Sequence, residues 1–371
     1  MPTDRPDDPR EEETRMQPLT PFHLLRPQDL PRTVEELGDT ASGPAAPQLA
    51  ALAEALLDGP DEKTQDRARE AVALLDEALP DPEPVGTDPD ESPGNRANDE
   101  AFAIVRVRGD ALHLLRRSTA HAYLVLCEEE STTGTSLPAA QLHRLHLAFG
   151  ALFALYSGTP VHRAEAAQGT PRAPRPLPAH TMGEADALRR WTRGHRVFMA
   201  LVQGMVVAFH CMGDRLRAGD PERARQFLAL ATTLMRGSGA ALTFTGDFPY
   251  SAYTVRVRPT LIPPSAPPDM TGLRWRDHEY LIRVLSDLRP LFGDLPPLLA
   301  ADRRRLAEAL DEAYQAHKSV CSHFVGSDTS SVLMADRTNE SAVATLERFR
   351  RSRGQLVSGR RPRGGRREEQ P

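Results

Sequence analysis

The spacing of apolar residues is the feature that most constrains the fold of this chain. Over long stretches these residues recur at intervals of three and four, which places them on one face of an α-helix. The pattern predicts helices over residues 48–57, 62–78, 100–129, 139–156, 182–218, 221–235, 274–289, 300–324 and 339–353. Strand-like alternation is scarce, so the chain is predicted to be all-α, a helical bundle.

Prolines mark two boundaries in this pattern. Asp220 followed by Pro221 is typical of a helix start, with the aspartate as N-cap and the proline in the first turn. Pro290 should end the helix that begins near residue 274, because the residue before a proline is disfavoured in the helical region. Residues 240–264 interrupt the helical pattern with aromatic residues, glycine and proline, and we expect a short strand or an irregular loop there.

Composition divides the 371 residues into five segments. Residues 1–40 are rich in Pro, Asp, Glu and Arg and are predicted to be a largely disordered arm. Residues 41–80 should form an N-terminal helical segment, and residues 81–98 an acidic linker containing Pro and Gly. Residues 99–353 carry the main helical domain, and residues 354–371 are predicted to be a disordered basic tail.

Charge is distributed unevenly along the chain. The net charge is −5, yet residues 348–367 hold nine arginines and no acidic residue, so the remainder is more acidic than this average. An acidic body argues against nucleic acid as a partner. The basic segment adjoins no recognisable basic face, and we interpret it as a solvated tail rather than as a surface for RNA or lipid.

The cysteine count and the apolar runs indicate the compartment. Three cysteines, an odd number, argue against a disulfide framework and for a reducing compartment. No signal peptide is visible. The longest apolar run, residues 197–212, contains Gln203 and His210 and is too short and too polar to span a bilayer. The sequence therefore predicts a soluble cytoplasmic protein that is not in a membrane.

A histidine and a cysteine lie one helical turn apart near the C-terminal end. Cys321 follows His317 by four positions, so the two share one face of the predicted helix. That face also carries the apolar stripe of the helix: Leu306, Leu310, Ala313, Val320 and Phe324. A core-facing imidazole next to a thiol can ligate a haem iron while the sulfur is bonded to the edge of the macrocycle. The alternative is a buried structural cysteine and a hydrogen-bonded core histidine.

A second histidine strengthens the interpretation as a haem site. His278 begins another apolar helix, and Leu281, Leu285 and Leu288 follow it at helical spacing, so it also faces inward. Thirty-eight residues separate His278 from His317. This arrangement, a histidine followed at that distance by His-x-x-x-Cys, resembles the histidine-ligated haem-dependent aromatic oxygenases. Within them it resembles the 3-methyl-L-tyrosine hydroxylases of saframycin-type biosynthesis.

The resemblance carries expectations about fold, cofactor and reaction. It implies an all-helical haem protein related to the tryptophan and indoleamine dioxygenase fold, with residues 99–353 as the haem-binding catalytic domain. His278 and His317 would be the axial iron ligands, and one thioether would join the haem to Cys321. The implied reaction is hydroxylation of 3-methyl-L-tyrosine to 3-hydroxy-5-methyl-L-tyrosine with hydrogen peroxide, in tetrahydroisoquinoline-type antibiotic biosynthesis. His278 is the expected catalytic residue, because it is the better candidate to leave the iron and then transfer protons.

Four further residues are candidate contacts to an aromatic amino-acid substrate. Tyr253, Arg256 and Arg258 lie in the irregular segment, and guanidinium groups can pair a substrate carboxylate in bidentate fashion. The alternative is that both arginines lie on the exposed side of a short strand. Ser330 lies in Gly-Ser-Asp-Thr-Ser-Ser, which is similar to the Gly-Thr-Gly-Gly-Ser-Ser loop of tryptophan dioxygenases, although a polar loop that ends a helix would look the same.

Several alternatives remain open from sequence. The substrate could be tyrosine or tryptophan, the protein could be a bis-histidine haem protein for electron transfer or sensing, or it could be a helical interaction protein without a cofactor. A homo-oligomer is also left open. One more histidine could line the distal pocket, and the sequence does not say which of His113, His121, His195 and His210 it is.

Overall fold

Helices make up most of the structure, as the apolar spacing predicts. The computed structural model describes residues 20–80, 82–86, 88–89, 91–160, 182–267, 275–325 and 342–358. The main helices are α1 Ala46–Asp58, α2 Thr64–Ala78, α3 Pro93–Ala101, α4 Ala111–Thr133, α5 Ala139–Ser157, α6 Glu184–Arg217, α7 Pro221–Thr245, α8 Arg276–Gly293, α9 Ala300–Val325 and α10 Ala342–Ser358. The prediction of a helical bundle is confirmed, with the addition of one small sheet.

The two longest apolar helices, α6 and α7, form the centre of the bundle. They pack along each other, α5 and α9 pack on α7, and α8 packs on α6. Glycines allow these close approaches: a Cβ at Gly204 would lie 2.4 Å from Leu152 Cδ2, and one at Gly237 would lie 2.3 Å from Ala148 Cβ. The backbones are therefore held together by contacts that a larger residue would disrupt.

Helices α6 and α7 are also apolar and long enough to cross a membrane by length and composition alone. In the structure, 83% and 72% of their apolar windows are buried inside the protein. Core helices that are apolar on most sides have this property, so their hydropathy is explained by burial in the bundle.

A three-stranded sheet lies at the N-terminal end of the described chain. Its strands are β1 Phe22–Leu25, β2 Glu83–Pro84 and β3 Ile104–Arg108, in the order β1-β3-β2. Strand β1 pairs in parallel with β3, and β2 pairs antiparallel with it. The sheet buries apolar side chains of β1 and β3 against the helices, including Leu24 and Val107.

A buried arginine joins this sheet to α8. Arg106 on β3 donates to Asp99 at 2.8 Å and to both carboxylate oxygens of Asp277, at 3.1 and 2.5 Å. Gln203 on α6 donates to Asp277 at 2.9 Å and to the Leu25 carbonyl at 2.8 Å. Because Asp277 immediately precedes His278, this network fixes the start of the helix that carries that histidine.

The predicted helix over residues 100–129 is wrong at its beginning. The chain leaves α3 at Ala101, forms strand β3, and enters α4 only at Ala111. The alternating sequence Ile-Val-Arg-Val-Arg suits a strand, and Gly109 at φ +150° makes the turn after it. Asp110 then caps α4 by accepting a hydrogen bond from the His113 backbone N–H at 2.7 Å.

Three predicted segment boundaries also differ from the structure. Residues 20–40, assigned to the disordered arm, contain strand β1, whose apolar side chains are buried. The predicted linker 81–98 contains β2 and most of α3, which starts with a capping box between Ser92 and Asn95. Helix α10 continues past residue 354 to Ser358, because Val357 is buried in the bundle. Residues 1–19 and 359–371 lie outside the described residues.

Two local predictions near the candidate site are wrong as well. Pro290 does not end α8, which continues to Gly293 and buries Phe292 against Phe209. The segment 240–264 is not a strand: α7 runs to Thr245, and residues 250–261 form a short α-turn, a π-helix Tyr253–Val257 and a 3-10 turn.

Candidate functional site

His278 lies on α8 and His317 on α9, and both helices pack against α10. Helix α10 packs on α8 and on α9, whereas the described parts of α8 and α9 share few contacts with each other. Both imidazoles are half-buried. Burial, the positive charge of Arg353 and His317 lower the pKa of His278 to about 3, and burial and Arg353 lower the pKa of His317 to about 4. Both rings are therefore neutral near pH 7, which is the form that ligates a metal.

Within the described chain, no hydrogen bond joins a ring nitrogen of His278 or His317 to another residue. His278 Nδ1 is buried and accepts or donates no hydrogen bond, and neither ring nitrogen of His317 is hydrogen-bonded within the described chain. Buried polar atoms in folded proteins are nearly always paired. The unpaired Nδ1 of His278, with His317 near enough for its charge to lower the pKa of His278, indicates a site that a ligand completes.

Cys321 lies one turn beyond His317 on α9. It is a free thiol, half-buried, and burial raises its pKa to about 11. The other two cysteines, Cys127 and Cys211, are buried in the core, where burial raises each pKa to about 12. Of the three, Cys321 is the thiol that a group bound next to His317 can reach.

These three side chains suit a haem better than a bare ion. No cluster of three or more His, Cys, Asp or Glu side chains forms a metal site within the described ranges. A haem brings four nitrogens of its own and needs from the protein only axial ligands, for which neutral imidazoles are common. The two unpartnered histidines and the accessible thiol fit that requirement.

His195 is a site residue that the sequence did not single out from four candidates. It lies on α6 and packs against the rings of Phe102 and Trp275. It is close enough to His317 for the charge of that ring to lower the pKa of His195. Its Nδ1–H donates to the Trp191 carbonyl at 2.6 Å, which leaves the Nε2 lone pair free. Burial lowers the pKa of His195 to about 4, so the ring is a neutral acceptor.

Aromatic side chains surround the Cys321 end of the site. Tyr253 stacks on Phe324 with ring centroids 4.4 Å apart, and Trp191 meets both rings edge to face. Burial raises the pKa of Tyr253, and the positive charge of Arg258 and the thiol of Cys321 also act on it. The structure thus places Tyr253 against Phe324 at the end of α9 that carries Cys321.

The remaining predicted substrate contacts are placed differently. Arg258 is exposed, although its charge acts on the Tyr253 hydroxyl. Arg256 is exposed and donates to Glu184 at 2.8 Å, as expected for a surface arginine rather than a substrate ligand. Ser330 lies outside the described residues.

Comparisons with known proteins show which proteins this chain is similar to. The family model described as SfmD 3-methyl-L-tyrosine peroxygenase matches residues 23–313, a range that includes His278 and ends just before His317. The chain is 38% identical over 342 residues to a 3-methyl-L-tyrosine peroxygenase from Streptomyces lavendulae, covering 90% of this chain and 89% of that protein. It is also similar to a crystal structure of reduced SfmD soaked with sodium hydrosulfite, with a TM-score of 0.65, 36% identity, and coverage of 82% and 99% of the two chains.

Proposed function

The chain belongs to the 3-methyl-L-tyrosine peroxygenase family, and on that premise we propose that it hydroxylates 3-methyl-L-tyrosine with hydrogen peroxide. One peroxide oxygen replaces a ring hydrogen ortho to the phenol and the other leaves as water, which gives the catechol 3-hydroxy-5-methyl-L-tyrosine. The reaction belongs to tetrahydroisoquinoline-type natural-product biosynthesis. The observation that carries the proposal is the unpaired Nδ1 of His278 together with the neutral His317 ring beside the Cys321 thiol, found in a member of this family.

Similarity to SfmD suggests a haem cofactor, and the residues present fit one. His278 and His317 would hold the iron, and Cys321 would hold the macrocycle edge through a thioether. When bound, the haem supplies the oxidising chemistry, which no side chain of the protein can provide. The chain itself would supply the ligands, a cluster of aromatic side chains and positioned proton acceptors.

The two histidine ligands have different expected roles. His317 shares α9 with Cys321, so a thioether would keep it in place. His278 is on a separate helix and is therefore the exchangeable ligand and the proposed catalytic residue. Its neutral imidazole can accept a proton when it is free, and His195 Nε2 offers a second acceptor in a fixed tautomer.

The aromatic cluster is the proposed contact surface for the substrate ring. Tyr253, Trp191 and Phe324 present edges and faces that suit a further ring. Arg258 is retained as a candidate cation for the substrate carboxylate because its charge reaches the Tyr253 hydroxyl. Three free cysteines support a reducing, cytoplasmic location.

The proposal is tested with the purified, haem-loaded protein. Given hydrogen peroxide, it should convert 3-methyl-L-tyrosine into a product heavier by one oxygen, with L-tyrosine and L-tryptophan as poorer substrates. His278→Ala should slow turnover, whereas the matched change His113→Ala, whose ring lies against the Leu75 carbonyl on α2, should leave it unchanged. A preference for tryptophan with dioxygen would contradict the proposal and indicate the dioxygenase branch.

A further inference from the structure

Arg353 places a positive charge near both candidate haem ligands. It lies on α10, and its charge lowers the pKa of both His278 and His317. It is half-buried, and no carboxylate within the described chain forms an ion pair with it. Arg350 on the same helix, by contrast, pairs with both Glu347 and Asp311.

The guanidinium is held in place by neutral groups. Arg353 Nη1 donates to the Tyr314 hydroxyl, and the guanidinium lies 4.5 Å from the Phe349 ring centroid and 5.8 Å from that of Tyr314. Burying a cation without a counter-ion is costly, and such charges are normally paired. A positioned, unpaired arginine is suited to bind an anion, and its planar fork matches a carboxylate.

The position of Arg353 along α9 indicates where that carboxylate lies. Its partner Tyr314 precedes His317 by three residues, and Cys321 follows His317 by four, so all three share one face. At 1.5 Å per residue, Tyr314 and Cys321 are about 10 Å apart along the axis, on opposite sides of His317. Haem has a matching polarity, because its vinyl groups lie on one edge and its two propionates on the opposite edge.

We propose that Arg353, held by Tyr314 and Phe349, is a carboxylate-binding residue of the haem site, and that it pairs with a haem propionate. The proposal rests on the function proposed above. A thioether at Cys321 would use a vinyl group, and the propionate edge would then lie on the side of Tyr314 and Arg353. The carboxylate of the amino-acid substrate has the same chemistry and is the other source that the experiment distinguishes.

The test uses the full-length Cys321→Ala protein, in which haem binding is reversible. Arg353→Met, which keeps the aliphatic stem, and Arg353→Lys, which keeps the charge, are made in this background. Arg351→Met is the matched control, because Arg351 is exposed on the same helix. Titrations followed by visible absorption give the affinity for ferric haem and for its dimethyl ester, in which both propionates are blocked. Circular dichroism shows that each variant is folded.

Pairing with a propionate predicts that Arg353→Met weakens binding of haem by about ten- to a hundredfold, the range of a charge-assisted hydrogen bond, and leaves binding of the ester unchanged. Arg353→Lys should recover part of that loss, and Arg351→Met should show none. If Arg353 pairs instead with the carboxylate of the substrate, Arg353→Met should bind haem as tightly as its parent. It should then lose the preference for 3-methyl-L-tyrosine over the corresponding amine without a carboxylate. Unchanged haem affinity together with an unchanged substrate preference would overturn the proposal. Failure of the Cys321→Ala parent to bind haem at all would instead contradict the proposed function.

Discussion

Asp277→Ala should destabilise the protein more than any surface change on α8. The carboxylate of Asp277 is completely buried and accepts two hydrogen bonds from Arg106 and one from Gln203. Hydrogen bonds to charged groups contribute about 1.5–3 kcal/mol each, and removing one partner of a buried ion pair costs about 3–5 kcal/mol. Arg106 keeps Asp99 as its counter-ion, so we expect a loss of about 3–4 kcal/mol in the free energy of unfolding.

The measurement is urea unfolding of the haem-free protein followed by circular dichroism. Asp277→Asn keeps the shape and one acceptor but loses the charge, and should cost about half as much. Asp287→Ala, an exposed change on the same helix, should stay within about 0.5 kcal/mol of the unmodified protein. Since His278 follows Asp277, Asp277→Ala in the haem-loaded protein should also add a five-coordinate component to the absorption spectrum. A loss no larger than that of Asp287→Ala would refute the role assigned to the buried network.

Three further predictions follow from the geometry of the site. His278→Ala should bind cyanide faster than the unmodified haem protein in stopped-flow absorption, because no internal ligand has to leave the iron. His317→Ala should instead lose haem. Faster cyanide binding in His317→Ala alone would reverse the roles assigned to the two histidines. Gly239→Ala should lower the free energy of unfolding in urea by about 1–3 kcal/mol, because its Cβ would lie 3.1 Å from the Ala313 backbone. Gly354→Ala, with nothing within 4 Å of its Cβ, should leave it unchanged, and equal values for the two variants would contradict this packing. In the haem-free protein the pKa of His195 is lowered, so the contribution of its neutral ring to the free energy of unfolding is complete above pH 6.5 and is lost as the pH falls towards 4. This contribution is at most about 3 kcal/mol. His195→Phe should therefore flatten the plot of the free energy of unfolding against pH over that range.

Helical spacing could predict which face of α8 and α9 the site would occupy. His278, His317 and Cys321 continue apolar stripes, and a 3.6-residue period is enough to place them on the inner faces. The family resemblance was recognisable for the same reason, because the spacing of these three residues survives in the sequence.

Residues whose role depends on contacts between distant segments could not be predicted in this way. His195 belongs to the site only because α6 packs on α8, and nothing in its local sequence separates it from the other histidines of long helices. Arg353 lies in an arginine-rich stretch whose composition is typical of a solvated tail, yet α10 packs on both histidine-bearing helices. Only the tertiary contact with Tyr314 reveals it.

The structure of one short segment could not be predicted for a different physical reason. Residues 253–257, Tyr-Thr-Val-Arg-Val, have the β-branched and aromatic composition of a strand. In a strand, Tyr253, Val255 and Val257 would face the same side. In the structure Tyr253 and Val257 are buried while Val255 is 54% exposed, which is helical spacing imposed by packing against α6. π-Helical turns of this kind are frequent at functional sites.

The mass of the denatured protein tests the central claim, that a haem lies beside His317 and is fastened to Cys321. The full-length protein is loaded with haem, denatured in acid, separated by chromatography and weighed intact. We predict the mass of the polypeptide plus one haem for the unmodified protein, Cys127→Ala and Cys211→Ala, and the bare polypeptide for Cys321→Ala. A bare polypeptide from the unmodified protein, with its haem eluting separately, would contradict the account.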